Sequence, residues 1–90
     1  MLKLVYSTQM KKNVKQLQKR GKDLEKLAHV LRLLCKEQKL PYQFKDHQLL
    51  GKLSGYRECH IEPDWLLVYK IDSGKLILTA TGTHSDIFNR

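Results

Sequence analysis

In the first half of the chain, apolar and polar residues alternate over a short segment, and apolar residues then recur at helical spacing. Residues 2–6 are apolar at alternate positions, which predicts a first strand. Apolar residues at helical spacing then predict two helices, residues 8–19 and residues 23–38, with Ser7 as a plausible N-cap and Pro41 blocking further helix. The residues expected to face the core from these helices are Met10, Val14, Leu17, Leu24, Leu27, Leu31 and Leu34.

The second half of the chain has the patterns of strands. Residues 56–62 alternate, residues 65–71 are mostly apolar as in a central strand, and residues 75–82 complete a meander after the turn at 72–74. A possible short strand at 49–53 precedes them. The predicted fold class is therefore α+β, in the order β-α-α-β-β-β. Two N-terminal helices pack on one face of a small, mostly antiparallel sheet and leave the other face partly open.

Length and composition restrict this fold to one domain, residues 1–90, with one compact core. A hydrophobic content of 41% is typical of a globular chain rather than a disordered one. No apolar run approaches the roughly 20 residues that span a bilayer, and the N-terminus lacks the apolar core of a signal peptide. We therefore expect a cytoplasmic protein in which Cys35 and Cys59 are reduced thiols.

Positive charge is concentrated in the first half of the chain. Residues 1–45 carry 12 Lys/Arg and 3 Asp/Glu, a balance of +9, whereas residues 46–90 carry 5 and 6, a balance of −1. This asymmetry suggests a polyanionic partner on one surface. Nucleic acid, an anionic membrane surface and an acidic protein all fit the charge, and so does a helix surface that only keeps the protein in solution.

The titratable residues of the second half cluster around the predicted sheet. Strand alternation places Glu58 and His60 on the open face. The proline that follows this strand turns the chain and would bring Asp64 to the rim of the sheet near His60. His47 lies in the loop before the meander and His84 lies just past its last strand, so three histidines and two carboxylates approach one region.

Such a cluster has the groups needed for RNA cleavage without a cofactor. One imidazole can remove the proton of the 2′-hydroxyl and another can protonate the departing 5′-oxygen, since histidine titrates near neutral pH. His47, His60, Asp64 and His84 are also zinc-ligand types, although their spacing matches no compact zinc signature. On the residues alone, a zinc site and a set of hydrogen-bonded surface histidines remain alternatives.

Three ordered motifs connect these residues to a known family. They are "DH-x-L-x-G" at 46–51, "GYRECHIEPDWLLVYK" at 55–70 and "TGTHSDIF" at 81–88. With this spacing and the predicted element order, nearly the whole chain resembles the YafQ family of bacterial toxins, within the RelE-like superfamily.

The resemblance implies a type II toxin that needs no cofactor. Such toxins enter the decoding site of the 70S ribosome and cleave messenger RNA there, which stops translation. A cognate DinJ-like antitoxin would neutralise the toxin, and operator DNA would be bound only by the toxin–antitoxin complex. No membrane partner is implied. A non-catalytic nucleic-acid-binding or regulatory module on the same fold is the alternative.

The resemblance also assigns roles by position. Glu58 stands where some family members have aspartate, and alternation puts Arg57 on the face opposite His60. The catalytic residues implied are His47, His60, Asp64 and His84. The substrate-binding residues implied are Glu58, Trp65, Phe88 and Arg57. Trp65 and Phe88 could stack on a base, but tryptophan and phenylalanine are also common core residues. The lysines expected to contact ribosomal RNA phosphates are Lys11, Lys12, Lys15 and Lys19.

Overall fold

The computed structural model describes residues 1–88, which form a five-stranded sheet with two long helices packed on one face. This confirms the predicted α+β class. The strands are β1 (Lys3–Tyr6), β2 (His47–Gln48), β3 (Arg57–Glu62), β4 (Trp65–Asp72) and β5 (Lys75–Gly82). The helices are α1 (Thr8–Lys19), α2 (Leu24–Cys35) and α3 (His84–Phe88), with 3₁₀ turns at Tyr42–Phe44 and Gly51–Leu53.

The sheet order is β1-β5-β4-β3-β2. All neighbouring strands are antiparallel except β1 and β5, which run parallel because two helices separate β1 from the meander. The β4–β5 hairpin turns at Ser73 and Gly74 with φ values of 51° and 75°. Two successive left-handed residues are the geometry of a type I′ turn, which matches the right-handed twist of the strands.

Side-chain caps define where the two long helices begin. The Ser7 hydroxyl accepts a hydrogen bond from the Met10 amide at 2.9 Å, and the Asp23 carboxylate accepts one from the Glu25 amide at 3.0 Å. Helix α2 ends at Cys35, earlier than predicted, and Glu37 then adopts a left-handed φ of 57°. The capping bonds therefore account for where each helix begins.

The core lies between the helices and one face of the sheet. Trp65 and Tyr69 of β4 are its largest fully buried side chains, and the Trp65 indole donates to the Thr81 hydroxyl at 2.9 Å. That hydroxyl in turn donates to the Leu66 carbonyl at 2.7 Å, so the polar atoms of this buried region are satisfied. The other core residues include Met10, Leu17, Leu27, Val30, Leu31, Leu34, Cys59, Leu67, Leu76 and Leu78.

One local prediction was wrong, and one element was not predicted. The strand expected at 49–53 lies two residues earlier, as β2, and residues 51–53 form a 3₁₀ turn. The tail after β5 forms helix α3, for which five residues offered too short a pattern to read. Among residues 1–88, no helix has the length and apolar content needed to cross a membrane.

Candidate active site

Glu58 lies between two histidines on the open face of the sheet. Strand β2 pairs His47 directly opposite Glu58, and His60 follows two residues along β3. The Nε2 atoms of both imidazoles lie 3.7 Å from the same carboxylate oxygen, Oε1 of Glu58. The Glu58 side chain is only 8% exposed whereas that of His47 is 50% exposed, so a buried carboxylate supports a solvent-facing imidazole.

His84 extends this group on the other side. The rings of His60 and His84 meet edge to face, with centroids 6.0 Å apart and planes at 68°. His84 reaches this place because it is the first residue of α3, directly after β5. The pairing of β3 with β4 shifts register between His60 and Glu62, and the turn that follows brings Asp64 round toward α3.

Asp64 positions the His84 imidazole. Its Oδ1 atom accepts from the backbone N–H of His84 at 3.0 Å and lies 2.6 Å from the His84 Nδ1 atom. An ionised carboxylate can only accept, so Nδ1 carries a proton and Nε2 is the atom available for proton exchange. The hydrogen bond from the His84 backbone, and after it the one from the His84 ring, lower the pKa of Asp64 below its usual value.

His47 is fixed from behind by the loop that carries it. Its Nδ1 atom lies 2.7 Å from the Lys45 carbonyl oxygen, which assigns the Nδ1 proton and turns Nε2 toward Glu58. The neighbouring Asp46 carboxylate accepts from the Tyr69 hydroxyl at 2.6 Å and from the Arg57 guanidinium at 3.2 and 3.3 Å. Asp46 therefore anchors the short edge strand to the central strands.

These contacts join the four predicted catalytic residues and Glu58, which was predicted to bind substrate, into one row. We call it the histidine row: His47, Glu58, His60, His84 and Asp64. The row offers several imidazoles at different distances from two carboxylates. A reaction that removes one proton and donates another across a phosphodiester needs this combination. A protonated imidazole can also offset charge on the phosphorane, with a carboxylate as its counter-charge.

The structure adds to what the sequence suggested for Asp64 and Trp65. Asp64 binds His84 rather than His60. Trp65 is 1% exposed in the core, with Lys22 Nζ 6.0 Å from its ring centre, so its role is to pack the core under the site. Stacking of Trp65 on a base would require its ring to leave that core.

The structure also locates Arg57, Phe88 and Cys59. Arg57 projects to the helix-packed face and binds Asp46, which raises the pKa of the guanidinium. Phe88 is half-buried at the end of α3. Burial raises the pKa of the Cys59 thiol to about 12, so Cys59 is a core residue rather than a nucleophile.

Asp46 and Tyr69 act on the site without having been predicted. Asp46 stands beside His47 in the first motif, and this adjacency is the only signal in the sequence. Tyr69 reads as one more apolar residue of a central strand, because nothing local shows that its hydroxyl meets Asp46, 23 residues earlier. Contacts across the sheet decide both roles.

The four predicted lysines of α1 are exposed, and they form a basic surface. Further along the chain the charge is partly neutralised, since Lys22 and Lys26 bind the two carboxylate oxygens of Glu62 at 3.0 and 2.8 Å. Those hydrogen bonds, of which the one from Lys26 contributes most, lower the pKa of Glu62. The α1 lysines, by contrast, have no carboxylate partner among the ion pairs of the described residues, so their charge is available to a polyanion.

Comparison with known families gives a match over nearly the whole chain. The pattern of the family described as "Bacterial toxin of type II toxin-antitoxin system, YafQ" matches residues 2–89. The mRNA interferase toxin YafQ of Escherichia coli (strain K12) is 46% identical over 84 residues, which cover 92% of this chain and 91% of that protein.

Solved structures match as closely. A copper-bound mutant toxin from Helicobacter pylori superposes with a TM-score of 0.95 at 42% identity, covering 98% of this chain and 100% of that one. A chain of the DinJ–YafQ complex of E. coli superposes with a TM-score of 0.90 at 43% identity, covering 98% and 99%.

Proposed function

The chain belongs to the YafQ family of type II toxin–antitoxin toxins, and on that premise we infer that it is an mRNA interferase neutralised by a DinJ-like antitoxin. The observation that carries the activity is the histidine row on the open face of the sheet. A cytoplasmic location follows from the substrate, since translated messages are found there.

The proposed reaction is transesterification at one phosphodiester. His60, with Glu58 beside it, accepts the proton of the 2′-hydroxyl, and the 2′-oxygen attacks phosphorus. His84, oriented by Asp64, donates a proton from Nε2 to the 5′-oxygen as the phosphorus–oxygen bond breaks. The products are a 2′,3′-cyclic phosphate and a 5′-hydroxyl. His47, on the other side of Glu58, supports binding of the phosphate.

Metal ions need separate consideration because one relative is a copper-bound toxin. Within residues 1–88, no three His, Cys, Asp or Glu side chains are placed together so as to hold a metal ion. The donor set therefore does not fit a metal centre, and no step is assigned to one. Cleavage that persists in EDTA agrees with this scheme, whereas loss in EDTA followed by recovery with metal contradicts it.

The lysines of α1 supply the docking surface. Lys11, Lys15 and Lys19 follow one another at intervals of four residues along α1, so they line one side of the helix, with Lys12 beside them. Such a row fits the phosphates of ribosomal RNA while the open sheet face receives the message. We include ribosome-bound message as the substrate on this ground.

Primer extension on cellular messages after induction tests the function. Without antitoxin, the wild type should give new 5′ ends and stop growth, and His60→Ala and His84→Ala should give neither. His29→Ala is the matched control, because His29 is exposed on α2 outside the histidine row. New ends from none of the four proteins would favour the non-catalytic module, and ends of equal strength from all four would exclude His60 and His84 as the catalytic residues.

A further inference from the structure

Helix α3 depends on the rest of the fold for its position. It contains five residues, and a single turn of helix has little stability of its own in water. His84 is its first residue, so any shift of α3 moves the imidazole proposed as the proton donor. Asp64, which orients that imidazole, is itself 65% exposed in a turn. Helix α3 makes a second polar contact with the rest of the fold.

That contact is the carboxylate of Asp86. Its Oδ2 atom accepts from Arg20 Nη1 at 2.7 Å and from the Thr83 amide at 2.9 Å, and its Oδ1 atom accepts from Arg20 Nη2 at 3.1 Å. The Thr83 hydroxyl accepts from the Asp86 amide at 3.0 Å, which completes a reciprocal cap. These hydrogen bonds, of which those from the Arg20 guanidinium contribute most, hold the pKa of Asp86 well below its usual range.

Gly82 leaves the space that this arrangement needs. Its φ of 151° lies in a region that other residues rarely adopt. A Cβ atom at this position would lie 2.8 Å from Oδ2 of Asp86 and 2.9 Å from its Cβ. The carboxylate therefore packs directly on the backbone at the end of β5, where a larger residue would displace it.

Helix α1 contacts this segment at three points. The Ser7 hydroxyl donates to the Thr79 carbonyl at 2.7 Å, and the buried Asn13 side chain accepts from the Thr81 amide at 3.2 Å. Arg20 is the third point, at the C-cap of the helix. The three are six and seven residues apart, about two helical turns, so one side of α1 follows β5 into α3.

We propose that Arg20 is a positioning residue of the cleavage reaction, which places His84 by holding Asp86 from the end of α1. This rests on the proposed role of His84. Asp64 sets the orientation of the ring, whereas Arg20 sets the location of the helix that carries it. Arg20 ends the helix that bears the docking lysines, so its pair with Asp86 links the docking surface to the helix that carries His84.

A double-mutant cycle tests the proposal, with single-turnover cleavage of message on 70S ribosomes as the readout. At saturating toxin, Arg20→Gln and Asp86→Asn should each lower the rate by about 10- to 100-fold, because small misplacement of a proton donor is costly. In the His84→Ala background the same changes should cause no further loss, since Arg20 acts through His84.

The same titration separates positioning from docking. A guanidinium that only binds RNA phosphate would change the half-saturating concentration and leave the saturating rate intact, which would overturn the proposal. Arg32→Gln is the matched control, because it breaks an arginine–carboxylate pair of 3.1 Å on the exposed face of α2 and should change neither value.

The remaining outcomes distinguish the proposed function from the positioning role of Arg20. If wild type cleaves no message, the proposed function fails, and if His84→Ala retains full activity, the role of His84 fails and the positioning role of Arg20 fails with it. If His84→Ala abolishes cleavage and Arg20→Gln and Asp86→Asn do not change it, only the positioning role fails. The His84 ring resonances in NMR spectra provide a measure that needs no activity. They should shift in both variants and stay in place in Arg32→Gln, and unchanged resonances in folded variants would contradict the proposal.

Discussion

One carboxylate oxygen of Asp64 binds both the backbone N–H and the ring Nδ1 of His84, which lies 20 residues further along the chain. The pair joins the turn after β3 to the first residue of α3 across the end of β4. It therefore connects the two motifs that carry the proposed acid and base. A carboxylate here orients the imidazole and supports its protonated form during proton transfer.

Replacing Asp64 with asparagine should reduce cleavage at saturating toxin by about 100-fold, within the range of general acid catalysis. The amide oxygen can still accept a hydrogen bond, but it offers no negative charge to the imidazolium. Single-turnover rates on ribosome-bound message measure the effect, and in the His84→Ala background the change should have none. Equal losses in both backgrounds would show that Asp64 acts apart from His84.

Tyr69→Phe should lower the free energy of unfolding by about 1.5 kcal/mol, as for a hydrogen bond to a charged partner. The change removes the hydroxyl that donates to Asp46 and leaves the ring in the core. Denaturant unfolding measures this. Tyr42→Phe removes a hydroxyl from a side chain that is 93% exposed and should stay within about 0.5 kcal/mol of the wild type. Equal stability of the two variants would exclude a strong Tyr69–Asp46 bond.

The Arg20–Asp86 pair predicts a particular dependence of stability on pH. The pKa of Asp86 is lowered in the folded state, so its contribution is complete above the ordinary value of 3.8 and is lost as pH falls through the lower folded value. Wild type should therefore exceed Asp86→Asn in unfolding free energy at pH 7, and the difference should shrink below about pH 3.8. A difference that stays constant down to pH 2 would contradict an ionic interaction.

The basic surface of α1 predicts a charge effect on docking and not on chemistry. Changing Lys11 and Lys15 together to glutamine should raise the half-saturating toxin concentration on ribosomes. The slope of the logarithm of affinity against the logarithm of salt concentration should become less steep by about one unit per lost contact. The saturating rate should be unchanged. The pair Lys36→Gln and Lys39→Gln removes the same charge from exposed positions beyond α2. Equal effects of both pairs would indicate only a long-range influence of net charge.

Local patterns predicted the elements well where each element is specified by its own residues. Ser7 and Asp23 cap the two long helices as side-chain chemistry requires, and the turn at 72–74 closes the hairpin. Alternation in β3 placed Glu58 and His60 together, although only the bulge after His60 explains where the chain goes next. Periodicity is informative here because each of these contacts is local.

The rest of the site depends on contacts that no local pattern encodes. Asn13 reads as a polar residue of a helix surface, yet it is 6% exposed and binds the Thr81 amide, 68 residues away. Asp86 reads as a residue of a polar tail, and its partner Arg20 lies 66 residues earlier. In both cases the parallel pairing of β1 with β5 brings α1 to the last strand, and only the folded topology shows that.

The pairing of β1 with β5 also orders events during synthesis. The first strand leaves the ribosome long before residues 75–82, so it must wait without its sheet partner while α1 and α2 emerge. The nascent chain then acquires Glu58 and His60 before His84, and Arg20 has no carboxylate to hold until Asp86 appears. The histidine row and the Arg20–Asp86 contact are therefore complete only when the last strand and α3 have been made.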